Sequence, residues 1–353
     1  MAKKKRTNAE YWLARSKQQE QHAEELTTEY LAKMYAQLEM FQRQALREID
    51  VFYNRFANDY KMTKHDAIQY LTNNQLKEFQ NVTLARYAQL AKDPKAEPRL
   101  VEALAYRHRI SRQEALLAEI ELKALEVYGS SNGLIETTYK NLSHVYGSAK
   151  IEIAKSYADI GYSVRRPVLE LNTIKSRLKT NWSKNNLSER IWGQEEKTYD
   201  TIANILDQGF IGQWPQEKII KEVQKRVSVA KSSIETLVRT EQTAYNSMGS
   251  VEQLKAHLEN EYKIVAVLDN KTTDKCRGEH DNVYAIDDYQ IGKTAPPFHY
   301  RCRSSVSSTR DATKIDYFAD EHDYTGPELE DVYEEWENEL IETVNQLTIE
   351  DLN

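Results

Sequence analysis

The feature that most constrains this chain is a run of apolar residues at helical spacing near its start. Leu26, Tyr30, Met34, Leu38, Phe41, Ala45, Ile49, Phe52 and Phe56 step by three or four. A strand would scatter them over both faces, whereas a helix gathers them on one. Glu, Gln, Lys and Arg fill the sites between, so the spacing predicts a long amphipathic helix that needs partners along its seam. Thr7-Asn8-Ala9-Glu10 predicts its start: the threonine oxygen meets an orphan amide and the glutamate reaches back, as in a capping box.

The same logic extends through residue 160. Thr63-Lys64-His65-Asp66 predicts a second helix start, and Asp93-Pro94 through Pro98 a break. Ser111-Arg112-Gln113-Glu114 caps a third helix with Ala115, Leu116, Ile120 and Leu125. After a turn at Gly129 to Gly133, a fourth uses Ile135, Tyr139, Leu142, Tyr146, Ala149, Ile153 and Tyr157. Glycine (11) and proline (7) are scarce in 353 residues, which favours long helices and few turns. Tyrosine (22) far outnumbers phenylalanine (7) and suits seams where the ring packs and the hydroxyl stays wet.

Beyond Gly161 and Pro167 the texture changes. Trp182 to Trp192 carries two tryptophans and Ser188 as the expected N-cap, and helix continues to Gly209. Gly212-Gln213-Trp214-Pro215 reads as a turn into a helix carrying Ile219, Val223, Val227, Ala230, Ile234 and Val238. Lys263 to Leu268 is the first expected strand and Val283 to Ile286 a second. The fold class is therefore mainly α with a small α+β C-terminal domain. The expected regions are 1–160, elongated and helical; 161–310, helices plus short strands; and 311–353, an acidic amphipathic tail. In that tail Leu329, Val332, Trp336, Leu340, Val344 and Leu347 keep helical spacing, and either the protein's own basic body or a partner could receive it.

The net charge of −7 conceals an asymmetry. Fourteen acidic and no basic residues follow from Asp316 onward, which leaves +7 on residues 1–315. A basic body attracts nucleic acid and an acidic tail can mask it; a solvated surface with a solubilising tail is the blander alternative. Lys3, Lys4, Lys5 and Arg6 are the best candidate phosphate contacts. No stretch approaches about 20 apolar residues, so no membrane span is expected. The start lacks the apolar run of a secretory signal, so the expected site of synthesis and folding is the cytoplasm.

Both cysteines and two of eight histidines fall in the segment 269–303. Cys276 and His280 are four apart, and His299 and Cys302 three apart. Zinc favours four such ligands offered as two close pairs on turns, so Cys276, His280, His299 and Cys302 form a candidate zinc set. Two other readings stay open: buried, inert cysteines, or a disulfide in a mature particle.

This segment resembles the signature of the Mu F-like phage head morphogenesis family, also called minor head or minor capsid proteins. The matching positions are Asp269, Lys271, Thr272, Cys276, Val283, Tyr284, Pro296, Pro297, His299, Cys302 and Arg303, with Arg239-Thr240-Glu241 on the preceding helix. The resemblance covers roughly residues 170–306, Trp182 to Trp192 included. It departs where the family often has sulfur, at Thr273 and Ser304, and where it often has glycine, at Asp281. Asp269 is expected to accept amide protons at a strand end. Arg303 and Arg239 are expected to fork onto carboxylates such as Asp269 or Glu241, and Pro296-Pro297 to hold an extended approach to His299.

The resemblance implies a structural, non-enzymatic protein of the virion, inside the capsid at the portal vertex, present in the host cytoplasm during assembly. The implied partners are the portal protein, a scaffold or major capsid protein, and double-stranded phage DNA during packaging or ejection. Two alternatives belong to other classes. One is an ADP-ribosyltransferase-like or metal-dependent enzyme using Glu241; the other is a general DNA-binding protein using the basic N-terminus.

Overall fold

A computed structural model describes residues 7–59, 112–183, 185–212, 214–312, 323–324, 329–348 and 350. Lys3, Lys4, Lys5 and Arg6, the start expected at Thr63, the break at Asp93 to Pro98 and the cap at Ser111 lie outside them. Among the described residues the order is α1 (Asn8–Asp59), α2 (Arg112–Gly129), α3 (Leu134–Ala158), β1 (Val164–Arg165), α4 (Leu171–Leu178), α5 (Leu187–Ile211) and α6 (Gln216–Ala256). Then come β2 (Glu261–Ala266), α7 (Asp274–Glu279), β3 (Val283–Ala285), a 3-10 turn (Ile286–Asp288), β4 (Ser304–Ser307), β5 (Asp323–Tyr324) and α8 (Leu329–Asn345). The expected class, mainly helical with a small sheet toward the C-terminus, is what the chain adopts.

The capping box at the start of α1 is present: the Thr7 amide donates to Glu10 Oε2 at 2.9 Å and the Glu10 amide to Thr7 Oγ1 at 3.2 Å. The chain divides into two compact units. One comprises residues 1–31, 138–182 and 235–347; the other comprises 32–137, 183–234 and 348–353.

In the second unit the seam of α1 is the one its spacing predicts, with Met34, Leu38, Phe41, Ala45, Ile49 and Phe52 all buried. α2 packs against α5, and α6 buries Ile219, Val223, Val227, Ala230 and Ile234. The Ile219 side chain lies against Gly209, where a Cβ would come within 2.7 Å of it. Lys231 of α6 meets Glu39 of α1 at 2.7 Å. The N-cap of α5 is not Ser188 but Asn186. Its Oδ1 accepts from the Glu189 amide at 2.7 Å, and Glu189 returns the bond at 3.2 Å. Both Asn and Ser cap well, and the reciprocal glutamate three residues on selects the asparagine.

In the first unit the buried row of α1 is Trp12, Ser16, Gln19, Ala23, Thr27 and Leu31. Half of these are polar, and helical patterning of apolar residues alone passes over them. Gln19 Nε2 donates to Ser250 Oγ at 2.5 Å and lies 3.3 Å from Asn246 Oδ1 and 3.5 Å from the Ala149 carbonyl. One amide thus ties α1 to α6 and α3. Every apolar position read on α3 within this unit, from Tyr139 to Tyr157, is buried.

β2 is the centre of an antiparallel sheet of order β3-β2-β4. It begins and ends two residues earlier than Lys263 to Leu268, leaving Leu268 exposed. β4 was not expected at all: its sequence is Ser-Ser-Val-Ser, yet all four residues are buried. Trp12, Tyr157, Tyr262, Ile264, Phe298, Val306, Cys276 and Cys302 share the core beneath this sheet.

α8 also belongs to this unit. Trp336, Leu340, Val344 and Leu347 are buried. Leu340 sits on Gly147 of α3, where a Cβ would come within 2.2 Å of its Cδ1. Glu337 and Glu339 reach Lys155 and Arg166 at 2.5 and 2.8 Å. α8 of the tail therefore packs on the protein's own basic residues, the first of the two receivers considered. Among the described residues, no helix is long and apolar enough to cross a membrane.

Candidate functional site

The site grows from the end of β2. Past Ala266 the chain turns through Asp269 to Thr273, and hydroxyls close the turn. The Asp269 amide donates to Thr272 Oγ1 at 2.8 Å, Thr272 Oγ1 donates to the Val267 carbonyl, and the Lys271 amide donates to Asp269 Oδ1 at 2.8 Å. The expected Asx turn is therefore present, and Thr272 and Lys271 serve it through an hydroxyl and a backbone amide. Thr273 then caps the short helix α7 by accepting from the Cys276 amide at 3.3 Å, which sets Cys276 on the first turn, facing the core.

After β3, the segment 286–303 returns the chain to the same place. Pro296 and Pro297, joined by a cis bond, are buried. Lys275 reaches the Phe298 carbonyl at 3.4 Å, and the Cys302 carbonyl accepts from Thr243 of α6 at 2.5 Å. Arg301, at a left-handed φ of 54°, donates its amide to Thr240 Oγ1 at 3.0 Å. Thr240 thus positions the approach to Cys302 from α6.

Three of the four candidate ligands converge. Cys276, His299 and Cys302 place their donor atoms within 4.8 Å of one another. Cys276 Sγ lies 3.0 Å from His299 Nε2 and 3.6 Å from Cys302 Sγ. Both thiols are buried and free. His280 is not among them. Its Nδ1 accepts from the Ala266 amide at 3.2 Å and its Nε2 turns to Asp281, 3.5 Å away. The ring closes the end of β2, a task that sequence spacing cannot distinguish from ligation.

The two positions where the resemblance led one to look for sulfur also face this point. The Ser304 hydroxyl favours the thiolate form of both cysteines, and the Thr273 hydroxyl that of Cys276. Asp281 has a φ of 67°, the left-handed region that glycine enters freely and that Asp is among the few other residues to tolerate. Its amide still pairs with the Ile264 carbonyl at 2.9 Å.

The thiols titrate as a pair. The hydrogen bond from Cys302 chiefly lowers Cys276, to about 5, and the remaining thiol is pushed up by the thiolate beside it and by burial. One proton thus leaves readily and the second is retained.

Of the expected arginine forks, Arg303 reaches Asp269 with both Nη atoms, at 2.8 and 2.7 Å. Its guanidinium holds the Asp269 carboxyl well below the usual carboxylate range. Arg239 instead meets Glu235 at 2.9 Å and Glu24 of α1. Glu241 is buried and accepts from the Trp182 indole at 2.9 Å. Arg239 and Glu241 are two residues apart on α6 and so do not share a face. Sequence reasoning missed Glu20, which is pushed up to about 7 by burial and by Glu24, against the pull of Arg303 and Arg239.

These parts define a class: a small antiparallel sheet behind a long helix, closed by a turn-borne cluster of two cysteines and a histidine. Residues 200–307 match the family model described as Phage Mu protein F like protein, so this segment of the chain is similar to that family. The match ends on the last residue of β4 and contains the whole clasp; Trp182 to Trp192 precede it. No curated protein and no solved structure matches the chain.

Proposed function

We propose that the chain is a minor head protein of a tailed bacteriophage that acts in capsid assembly through the portal protein. The Mu F-like similarity of residues 200–307 carries this reading. It suggests phage head morphogenesis, association with other capsid components and a structural rather than enzymatic role. The proposed place is the capsid interior at the portal vertex, reached from the host cytoplasm during assembly. The portal is the main partner, a scaffold or major capsid protein the second, and double-stranded DNA a contact during packaging or ejection. Long helices with a polar outer face suit such a contact, because they can lie along a partner without unfolding.

Coexpression with the portal protein of the same phage tests the reading. The tagged chain is expected to carry a portal oligomer through affinity and size-exclusion steps, and to be found in purified virions by mass spectrometry. A chain that elutes alone and is missing from virions would overturn it.

A further inference from the structure

We propose that Cys276, His299 and Cys302 bind one zinc ion through two thiolates and one imidazole, with the fourth position left to water or another exchangeable ligand. Tetrahedral zinc at about 2.3 Å from sulfur and about 2.0–2.1 Å from nitrogen separates two sulfurs by about 3.8 Å, and sulfur from nitrogen by about 3.5 Å. The observed separations are 3.6 and 3.0 Å, so shifts of roughly half an ångström admit the ion.

The second nitrogen of His299 supplies an independent observation. Nδ1 lies 2.8 Å from the Tyr300 carbonyl. A carbonyl only accepts, so Nδ1 carries a proton, and Nε2 is the nitrogen that faces Cys276. That is how metal-binding histidines are held: one nitrogen anchored to a backbone carbonyl, the other aimed at the ion. Inert cysteines have no need of an imidazole held with Nε2 against the sulfur, and a disulfide would leave that nitrogen without a task.

The surroundings agree. Both sulfurs are buried, on a turn capped by Thr273 and on a strand entry held by Thr243, so little rearrangement accompanies binding. Ser304 is buried at the start of β4, two residues past Cys302. His280 is occupied at the end of β2 and takes no part. Zinc would enter as two thiol protons leave, so uptake weakens as pH falls. This site stands apart from the phage assignment, since a chain that holds zinc yet ignores the portal would fail only that assignment.

Full-length chain, reduced, stripped by a chelator and titrated with Co²⁺, is expected to take up one ion per chain with a thiolate-to-metal charge-transfer band. Zn²⁺ is expected to displace it and to protect both thiols from alkylation. Cys276→Ser, Cys302→Ser and His299→Ala lose the band, and His280→Ala keeps it, with helical circular dichroism recorded for each. Ser304→Cys adds a thiolate beside the first two, so it is expected to bind Zn²⁺ roughly tenfold tighter or more; it does not depend on a weakened variant folding. The proposal is overturned by any of four results: no stoichiometric band; a band that survives loss of either cysteine; a Ser304→Cys affinity no tighter than the parent's; or thiols trapped directly from cells as a disulfide without metal.

Discussion

Arg303 grips Asp269 with both ends of its guanidinium, at 2.8 and 2.7 Å, and so fastens the strand leaving Cys302 to the turn that precedes Cys276. The pair locks the mouth of the clasp by joining the residue after Cys302 to the turn that leads into α7. Removing the fork is expected to loosen that mouth. Arg303→Lys, which keeps the charge and loses the bidentate geometry, should lower the urea midpoint and speed alkylation of Cys276.

The same pair sets a pH dependence. The folded-state pKa of Asp269 is depressed by Arg303, so its contribution is present above the unfolded value of about 3.9 and fades as pH falls below that. Asp269→Asn should therefore be less stable than the parent at pH 7, with the gap narrowing between about pH 4 and pH 2. Urea titrations across that range check it; a gap independent of pH would show that the carboxylate charge is not what matters.

Glu20 has the opposite sign. Burial raises it to about 7 in the folded chain, so between about pH 4.5 and 7 the folded state holds a proton that the unfolded state has released. Stability should fall as pH rises through that window and stay level above it. Glu20→Gln should remove the fall and stabilise the chain at pH 8 by about 1 kcal/mol, a figure discounted for its partial exposure. Chemical denaturation at pH 5 and pH 8 separates the two chains.

The contact of Leu340 with Gly147 makes a sign-reversing pair. Gly147→Ala gains about 1 kcal/mol of helix propensity, but its Cβ would displace Leu340, and such overpacking costs about 1–3 kcal/mol. The net effect in the parent is loss. Leu340→Ala costs about 2–5 kcal/mol by leaving a cavity, and in that background Gly147→Ala should stabilise. A double-mutant cycle by thermal denaturation reads the coupling; additive effects would place α8 elsewhere.

Gln19 is the polar keystone of α1, α3 and α6. Gln19→Leu keeps the bulk but leaves Ser250, Asn246 and the Ala149 carbonyl without its amide. A loss of about 1–3 kcal/mol is expected, measured by denaturant titration, while Gln21→Leu on the exposed face should change stability by less than about 0.5 kcal/mol.

Helix identity was legible wherever apolar spacing carried it, as along Met34 to Phe52 and Ile135 to Tyr157, because period and burial coincide there. It failed where burial is polar. Ser16, Gln19 and Thr27 lie in the seam of α1, and Ser304, Ser305 and Ser307 form a buried strand. Gln19 and Thr27 find the hydrogen bonds that offset their burial on helices far away in sequence, and the serine strand pairs its backbone with β2.

The site divides along the same line. Sequence alone determined which residues could act: two cysteines and two histidines in one short span, a Thr-rich turn after a strand, arginines within reach of carboxylates. Those are properties of local chemistry and spacing. Only the tertiary structure decided which histidine joins the sulfurs, since His280 and His299 are alike in type and in nearness to a cysteine. The choice falls to the partner that each ring's other nitrogen finds, the Ala266 amide for one and the Tyr300 carbonyl for the other. Both backbone groups hold Nδ1, so each ring is left to present Nε2, and folding turns that atom to Asp281 in one ring and to Cys276 in the other.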